Sequence, residues 1–223
     1  MNEEKTILAL DTALGNSIAL MTGKKIHYPD PLPTDEIKKS SVIILIDSLL
    51  QKHSIKIEDL TAIGVNTGPG SFTGIRVSIA LVKGFARPYD IPVVPVNSFQ
   101  AISQMIGLGK KHTIIINAGG GFVYLQDYGN IENHNTPIPA RLMNIDSLAK
   151  NLIQESVILY GSGLDKVPEK LRSFYPECKI IKSDSSIINS IIHITHEAVL
   201  RGNLIKYREL KPCYIKPSYA DLI

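Results

Sequence analysis

The chain of 223 residues carries 44% hydrophobic and 20% charged side chains, which is ordinary for a globular protein with one large domain or two small ones. Its net charge of +3 is too small, and its basic residues are too scattered, to indicate nucleic-acid binding by bulk electrostatics. No apolar run approaches the roughly 20 residues that span a bilayer, and the acidic start does not resemble a secretory signal, so we expect a cytoplasmic protein.

Strands and helices alternate through the first half of the sequence. A predicted hairpin, with a possible third strand at Lys24 to Tyr28, ends at a proline-rich break. A helix with a 3.6-residue apolar period follows, and then a strand, a glycine loop, a second helix, a strand and a helix N-capped near Ser98. The predicted bounds are Thr6 to Asp11 and Ser17 to Met21 for the hairpin, Asp35 to His53 and Ile75 to Ala86 for the helices, and Thr61 to Val65 and Val93 to Val96 for the strands.

The second half opens at a glycine-rich break at Gly107 to Gly109, which is the best candidate for a boundary between two lobes. We therefore predict domains at 1–106 and 107–223. The order of strands and helices indicates a mixed α/β fold, and the two hairpins are candidates for halves of an ancient duplication. The predicted elements are strands at Thr113 to Asn117, Phe122 to Gln126 and Val157 to Tyr160, and helices at Ile145 to Gln154 and Ile187 to Arg201.

The glycine loop between Asn66 and Arg76 is the most informative stretch. Three glycines and a proline in seven residues allow close backbone approach, and the helix that follows offers unpaired N–H groups and a positive dipole end. A glycine loop followed by a helix N-terminus is a typical binding site for an anion such as phosphate, although the spacing here is not that of a Walker loop. A turn made tight only for packing explains the spacing equally well. The candidate anion-binding residues are Gly68, Gly70, Ser71, Thr73 and Gly74.

Two N-terminal motifs carry a family resemblance. Ile7 to Thr12 and Gly68 to Arg76 closely resemble the bacterial TsaB (YeaZ) family, and the similarity covers the first hundred or so residues and returns weakly at Pro212 to Pro217. This resemblance implies a two-lobed actin-like fold (the fold of acetate and sugar kinases, Hsp70 and actin), with a mixed sheet and flanking helices in each lobe. It further implies a scaffold for a TsaD-type catalytic subunit and a TsaE-type ATPase, which together transfer threonylcarbamoyl to adenosine 37 of tRNA. The chain would then reach tRNA only through the complex.

Asp11 and Thr12 end the first strand at the hairpin turn. In actin-like ATPases the corresponding acid holds magnesium and the turn donates N–H groups to phosphates, so these two residues join the candidate nucleotide site. A structural role, in which Asp11 stabilises its own loop through an Asx-type bond, is the favoured alternative. ATP or ADP with magnesium is therefore a weak expectation, and no cofactor is expected to be required.

The chemistry needed for independent catalysis is not visible in the sequence. The first long helix lacks the His-x-x-x-His pair of TsaD, no nucleophile has an evident base, and Cys178 and Cys213 stand far apart. Asn117 to Gly119 replaces the Asp-Ala-Arg run of many family members. We expect no catalytic residues and no metal site. The alternatives are an actin-like small-molecule kinase or ATPase, with the Gly68–Gly74 loop holding Mg-ATP, and a regulatory homodimer.

Two predicted helices are apolar on both sides, whereas a surface helix normally needs one apolar stripe. The second side therefore predicts a partner surface, and Leu81 and Val77 are expected to be exposed in the monomer because they lie opposite the Ile75–Ile79 stripe. The predicted interface residues are Ile37, Ser41, Ile44 and Ser48 on the first helix and Val77, Leu81 and Phe85 on the second. The sequence does not separate a homodimer from a heterodimer on this surface.

Overall fold

The structure is a computed structural model that describes residues 4–30, 42–106, 112–128, 139–144, 147, 157–160, 179–181 and 186–215. Within these residues ten strands form two sheets, and four α-helices flank them. The strands are β1 Thr6–Asp11, β2 Ser17–Thr22, β3 Lys25–His27, β4 Ala62–Asn66, β5 Val93–Val96, β6 His112–Gly119, β7 Phe122–Tyr128, β8 Arg141–Asn144, β9 Val157–Tyr160 and β10 Lys179–Ile181; the helices are α1 Val42–Lys52, α2 Phe72–Ala86, α3 Ser98–Ile106 and α4 Ser186–Arg201.

The two sheets have the same topology. The first has the order β3-β2-β1-β4-β5, in which β1–β2 and β2–β3 are antiparallel and β1–β4 and β4–β5 are parallel. The second has the order β8-β7-β6-β9-β10, with antiparallel and parallel pairs in the same places. The prediction of a mixed α/β fold is confirmed, and this shared order supports a duplicated unit that begins with a hairpin.

Strand β1 shows how the first sheet organises the core. Its side chains alternate between the two faces of the sheet, as the period of two in a strand requires. Leu8 and Leu10 join the cluster beneath α1 and α2, whereas Ile7 and Ala9 join the cluster with α3 and α4. The first sheet is therefore buried on both faces between two pairs of helices, and the strand residues from Ile7 to Asp11 are all buried.

The second sheet shares the core on the α3–α4 side. Ile114 and Ile116 of β6 belong to the same buried cluster as Phe99 of α3 and Ile188 of α4. The predicted boundary at residue 106 separates the two sheets along the chain, yet α4 from the second segment packs against the first sheet. The break itself, the predicted start of α1 at residue 35 and the predicted helix at 145–154 lie outside the described residues, apart from Ser147.

No helix among the described residues has both the length and the apolar character needed to cross a membrane.

Candidate functional site

Asp11 occupies the centre of the site predicted at the end of β1. Its side chain is fully buried, and its Oδ1 atom accepts hydrogen bonds from the backbone N–H groups of Ala13 (2.9 Å) and Leu14 (3.1 Å) and from Nδ2 of Asn66 (2.9 Å). Its Oδ2 atom has no hydrogen-bond partner among the described residues. Because burial disfavours the charged form more than these bonds favour it, the pKa of Asp11 is raised from 3.8 to about 6.

Asn66, for which we predicted no role from the sequence, links Asp11 to the glycine loop. Its Oδ1 atom accepts from the N–H of Gly68 (2.9 Å) and from Oγ of Ser98 (2.8 Å), while its Nδ2 donates to Asp11. The signal that identifies it is positional. Asn66 ends β4 and Asp11 ends β1, and adjacent parallel strands bring their carboxyl ends to the same edge of a sheet.

The glycine loop packs directly on the hairpin turn after β1. The backbone N–H of Ser71 donates to the carbonyl oxygen of Ala13 at 2.7 Å, and Oγ1 of Thr12 donates to the carbonyl oxygen of Gly74. A Cβ atom on Gly70 would lie 2.3 Å from the oxygen of Ala13, and one on Gly74 would lie 1.7 Å from the oxygen of Thr12. Two glycines of the loop are therefore required for contact between two backbones.

The first turn of α2 satisfies part of its own polar groups. Ser71 is the N-cap, since its Oγ accepts from the N–H of Gly74 at 3.1 Å and its carbonyl oxygen accepts from the N–H of Ile75 at 2.9 Å. Thr73 is exposed and lies outside these contacts. The N–H groups of Gly68, Ser71, Gly74 and Ile75 are bonded within the protein, so among the described residues only the N–H groups of Gly70, Phe72 and Thr73 are left in this loop for an anion.

These contacts decide how well a nucleotide fits the candidate residues. The structure brings Asp11, Thr12, Gly70, Ser71 and Gly74 together, as the sequence predicts. However, the backbones of turn and loop are in close contact at Gly70 and Gly74, and Oδ2 of Asp11 is a buried atom without a hydrogen-bond partner among the described residues. The arrangement favours the structural role of Asp11 and of the loop, and the nucleotide role stays a prediction.

A C-terminal segment crosses the glycine loop on its outer side. The N–H of Cys213 donates to the carbonyl oxygen of Thr67 at 2.8 Å, and Nδ2 of Asn97 donates to Sγ of Cys213 at 3.4 Å. Tyr214 then meets the start of α2, where its hydroxyl accepts from Nε of Arg76 at 3.2 Å. This segment holds the loop in place, a role that the weak C-terminal motif did not reveal.

The predicted interface residues fall into two groups. Ile44 is 60% exposed, Val77 is 42% exposed and Ser48 is exposed, as expected for a partner surface. Ile37 and Ser41 lie outside the described residues. Leu81 and Phe85 are half-buried and pack against the core of the monomer, so the expectation that Leu81 is exposed in the monomer was wrong. Their place in an interface stays a prediction.

The reason that Leu81 is not exposed lies at Ser78. The side chain of Ser78 is fully buried, and its Oγ donates to the carbonyl oxygen of Ile75 at 3.1 Å, which satisfies the hydroxyl there. The buried face of α2 is therefore wider than its apolar stripe suggests. At about 100° per residue, Phe85 lies about 20° and Leu81 about 60° around the helix from Ser78, whereas Val77 lies about 100° from it. Val77 therefore belongs to the exposed face of α2, whereas Leu81 and Phe85 lie at the edge of the buried face.

Three comparisons place the chain among known proteins. A family model described as "TsaD: tRNA N6-adenosine threonylcarbamoyltransferase" matches residues 32–182. The chain is 24% identical to the tRNA threonylcarbamoyladenosine biosynthesis protein TsaB of Haemophilus influenzae, over 95% of this chain and 93% of that protein. It is 38% identical to a tRNA N6-adenosine threonylcarbamoyltransferase of Streptococcus sanguinis, over 78% of this chain and 55% of that protein.

A solved structure gives the same fold. YeaZ from Pseudomonas aeruginosa matches with a TM-score of 0.70 and 20% sequence identity, over 94% of this chain and 99% of that chain. At this identity the match speaks for the fold alone. The predicted actin-like α/β fold is confirmed by this match together with the two sheets of shared topology.

Proposed function

The chain belongs to the family of tRNA N6-adenosine threonylcarbamoyltransferases and, within it, to the TsaB (YeaZ) proteins, and from this we propose that it is the accessory subunit of a TsaD-type catalytic subunit. Its role is in the biosynthesis of threonylcarbamoyladenosine on tRNA, which the names of its full-length relatives state. The cytoplasmic location that the sequence favours is part of this proposal.

The exposed apolar face of α1 and α2 carries the proposal. Both helices cover the same face of the first sheet, because their buried residues belong to one core cluster. Outside that cluster, Ile43, Ile44 and Val77 are 45%, 60% and 42% exposed. Exposed apolar side chains on the outer faces of two helices indicate a helix-to-helix interface, in which ridges of one helix pack into grooves of another.

A TsaD-type subunit is the partner that we propose for this face. Such proteins share the family of this chain, so their own first helices offer a surface of similar shape and an approximately two-fold contact between related subunits. A homodimer through the same face is the competing use, and a TsaE-type ATPase is proposed as a third component of the complex.

The buried site favours a scaffold over an actin-like kinase. A kinase would need open N–H groups for the phosphates and an accessible acid for magnesium, whereas four N–H groups of the loop and helix start are bonded internally and Asp11 is fully buried. We therefore propose that the chain contributes binding and shape, and that catalysis belongs to its partner.

Co-purification with the TsaD-type subunit of the same cell tests the interface. Ile44→Asp places a charge in the proposed apolar contact, and burying an unpaired carboxylate there should weaken binding at least about tenfold. Leu200→Asp is the matched control, because Leu200 is 61% exposed on α4 and lies outside the proposed face. Equal binding by the wild type and by Ile44→Asp, with a folded variant, would place the partner surface elsewhere.

A further inference from the structure

A basic pocket lies at the end of α2, away from the site at Asp11. It has a volume of about 500 Å³ and is lined by Lys83, Gly84, Arg87, Tyr207 and Arg208. Three of these five residues are cationic and none is acidic. Concave sites of this size are in the range that small molecules occupy.

The cations come from two separate parts of the chain. Lys83 lies in the last turn of α2 and Arg87 is its C-cap, where positive side chains also complement the negative end of the helix dipole. That explanation does not extend to Arg208, which arrives from the segment after α4. The convergence of the two segments therefore needs a different reason, and a bound anion supplies one.

The position of Arg208 is fixed by the fold. Ile205 exchanges two backbone hydrogen bonds with Val93 of β5, at 2.9 and 3.0 Å, so this segment extends the edge of the first sheet. Tyr207 and Leu210 are then buried in the core beneath α1 and α2. With its neighbours anchored on both sides, Arg208 is held at the pocket, where its guanidinium carbon lies 5.1 Å from the centre of the Tyr207 ring.

Nearby acids do not neutralise these cations. Asp90 forms an ion pair with Lys206 at 3.4 Å, and Glu197 pairs with Arg201 at 3.2 Å. Glu209 is exposed and does not line the pocket. Among the residues that the structure describes, Lys83, Arg87 and Arg208 form no ion pair, so three positive charges face one open space.

We propose that this pocket binds the phosphates of a small oligophosphate, either a free one such as pyrophosphate or the phosphate chain of a nucleotide. Several charges converging on one concavity match a compact polyanion, since guanidinium groups bind phosphate oxygens in bidentate fashion and an ammonium adds a point charge. An RNA backbone would instead favour an extended basic surface, which a net charge of +3 with scattered basic residues does not provide. Gly84 contributes to the room, because its Cα has open space beside it.

Titration calorimetry on the isolated chain tests this proposal independently of any partner. The ligands are pyrophosphate, ATP and AMP at low ionic strength. We expect pyrophosphate and ATP to bind and AMP to bind more weakly. Similar affinities for the first two indicate recognition of the oligophosphate alone, and tighter binding of ATP indicates a nucleotide; both support the pocket.

Charge-removing variants assign the binding to these residues. Arg208→Gln should weaken pyrophosphate binding about tenfold, the effect of losing a charge-assisted hydrogen bond. Lys24→Gln, which removes one exposed positive charge from the turn after β2, should leave binding unchanged. Lys83→Gln gives a second measurement if Arg208→Gln unfolds.

Three results would overturn the proposal: no binding of pyrophosphate at millimolar concentration, equal affinities of wild type, Arg208→Gln and Lys83→Gln, or binding of an RNA oligonucleotide that depends on Arg208 while pyrophosphate does not bind.

Discussion

Gly74 lies so close to Thr12 that a Cβ atom on residue 74 would stand 1.7 Å from the carbonyl oxygen of Thr12. The Oγ1 atom of Thr12 in turn donates to the carbonyl oxygen of Gly74, so the turn after β1 and the start of α2 are joined by backbone and side chain together. The glycine loop, whose composition suits an anion, therefore has a structural role: it joins the turn after β1 to α2 in the first lobe.

Gly74→Ala should destabilise the protein because a methyl group meets backbone that cannot move aside without shifting β1 or α2. Overpacking of this kind costs about 1–3 kcal/mol. Gly84→Ala is the matched control on the same helix, since nothing lies within 4 Å of its added Cβ. It should stabilise the protein by about 0.5–1 kcal/mol, because alanine is the better helix former. Urea unfolding measures both, and equal effects would contradict the joint.

Asp11 should make stability fall as pH rises through the acidic range. Its folded pKa of about 6 exceeds the value of 3.8 expected in the unfolded chain, so between these values the folded state holds a proton that the unfolded state has released. The protein is thus more stable below about pH 4 than above pH 6 as far as this group is concerned. The difference is of the order of 3 kcal/mol.

Asp11→Asn isolates this effect. The amide keeps an oxygen that can accept from the N–H groups of Ala13 and Leu14, and it carries no buried charge. We expect this variant to be more stable than the wild type at pH 7 and to have lost this part of the pH dependence. Parallel stability curves for the two proteins, measured by urea unfolding from pH 4 to pH 7.5, would contradict the buried ionisation.

Leu81→Asp should destabilise the monomer, because Leu81 packs against the core and its carboxylate would be partly desolvated at a cost of about 1–3 kcal/mol. Val77→Asp, one turn earlier on the same helix, should change monomer stability by less than about 0.5 kcal/mol, as surface substitutions usually do. Thermal unfolding followed by circular dichroism separates the two. A Val77→Asp variant that loses as much stability as Leu81→Asp would remove Val77 from the exposed face.

ATP turnover by the purified chain should stay at background, since four N–H groups of the loop and helix start are bonded internally and Asp11 is buried. Release of phosphate is the measurement. Turnover that persists through purification and disappears in Asp11→Ala would favour the actin-like kinase instead.

The sequence predicts the first lobe well because its signals are local. The apolar residues Ile7 to Leu10 mark a strand, and the apolar stripe that begins at Ile75 marks a helix, which the structure starts three residues earlier at Phe72. The fold of the whole chain followed from the motif resemblance more than from these patterns. The edge strand Arg141–Asn144 was missed because two of its four residues are polar, whereas the predicted four-residue strands Val93–Val96 and Val157–Tyr160 are apolar runs.

The parts of the site that were missed depend on distant contacts. Asn66 gains its role from Ser98, which is 32 residues away, and Cys213 reaches Thr67 only after the chain has passed through the second sheet. The burial of Ser78 was not predicted, because it lies outside the apolar stripes of α2, and an intrahelical hydrogen bond allows it. The contacts of Asn66 and Cys213 join residues that are far apart in the chain, so local sequence patterns do not reveal them.

The central claim is that this chain is needed by a TsaD-type subunit for tRNA modification, and reconstitution tests it most directly. The TsaD-type subunit, the TsaE-type ATPase, ATP, a threonylcarbamoyl donor and unmodified tRNA are combined with and without the chain, and threonylcarbamoyladenosine is measured by mass spectrometry of the nucleosides. We predict that the modified nucleoside forms with the wild-type chain and with Leu200→Asp, and falls at least about tenfold without the chain or with Ile44→Asp. Full modification in the absence of the chain would contradict the account.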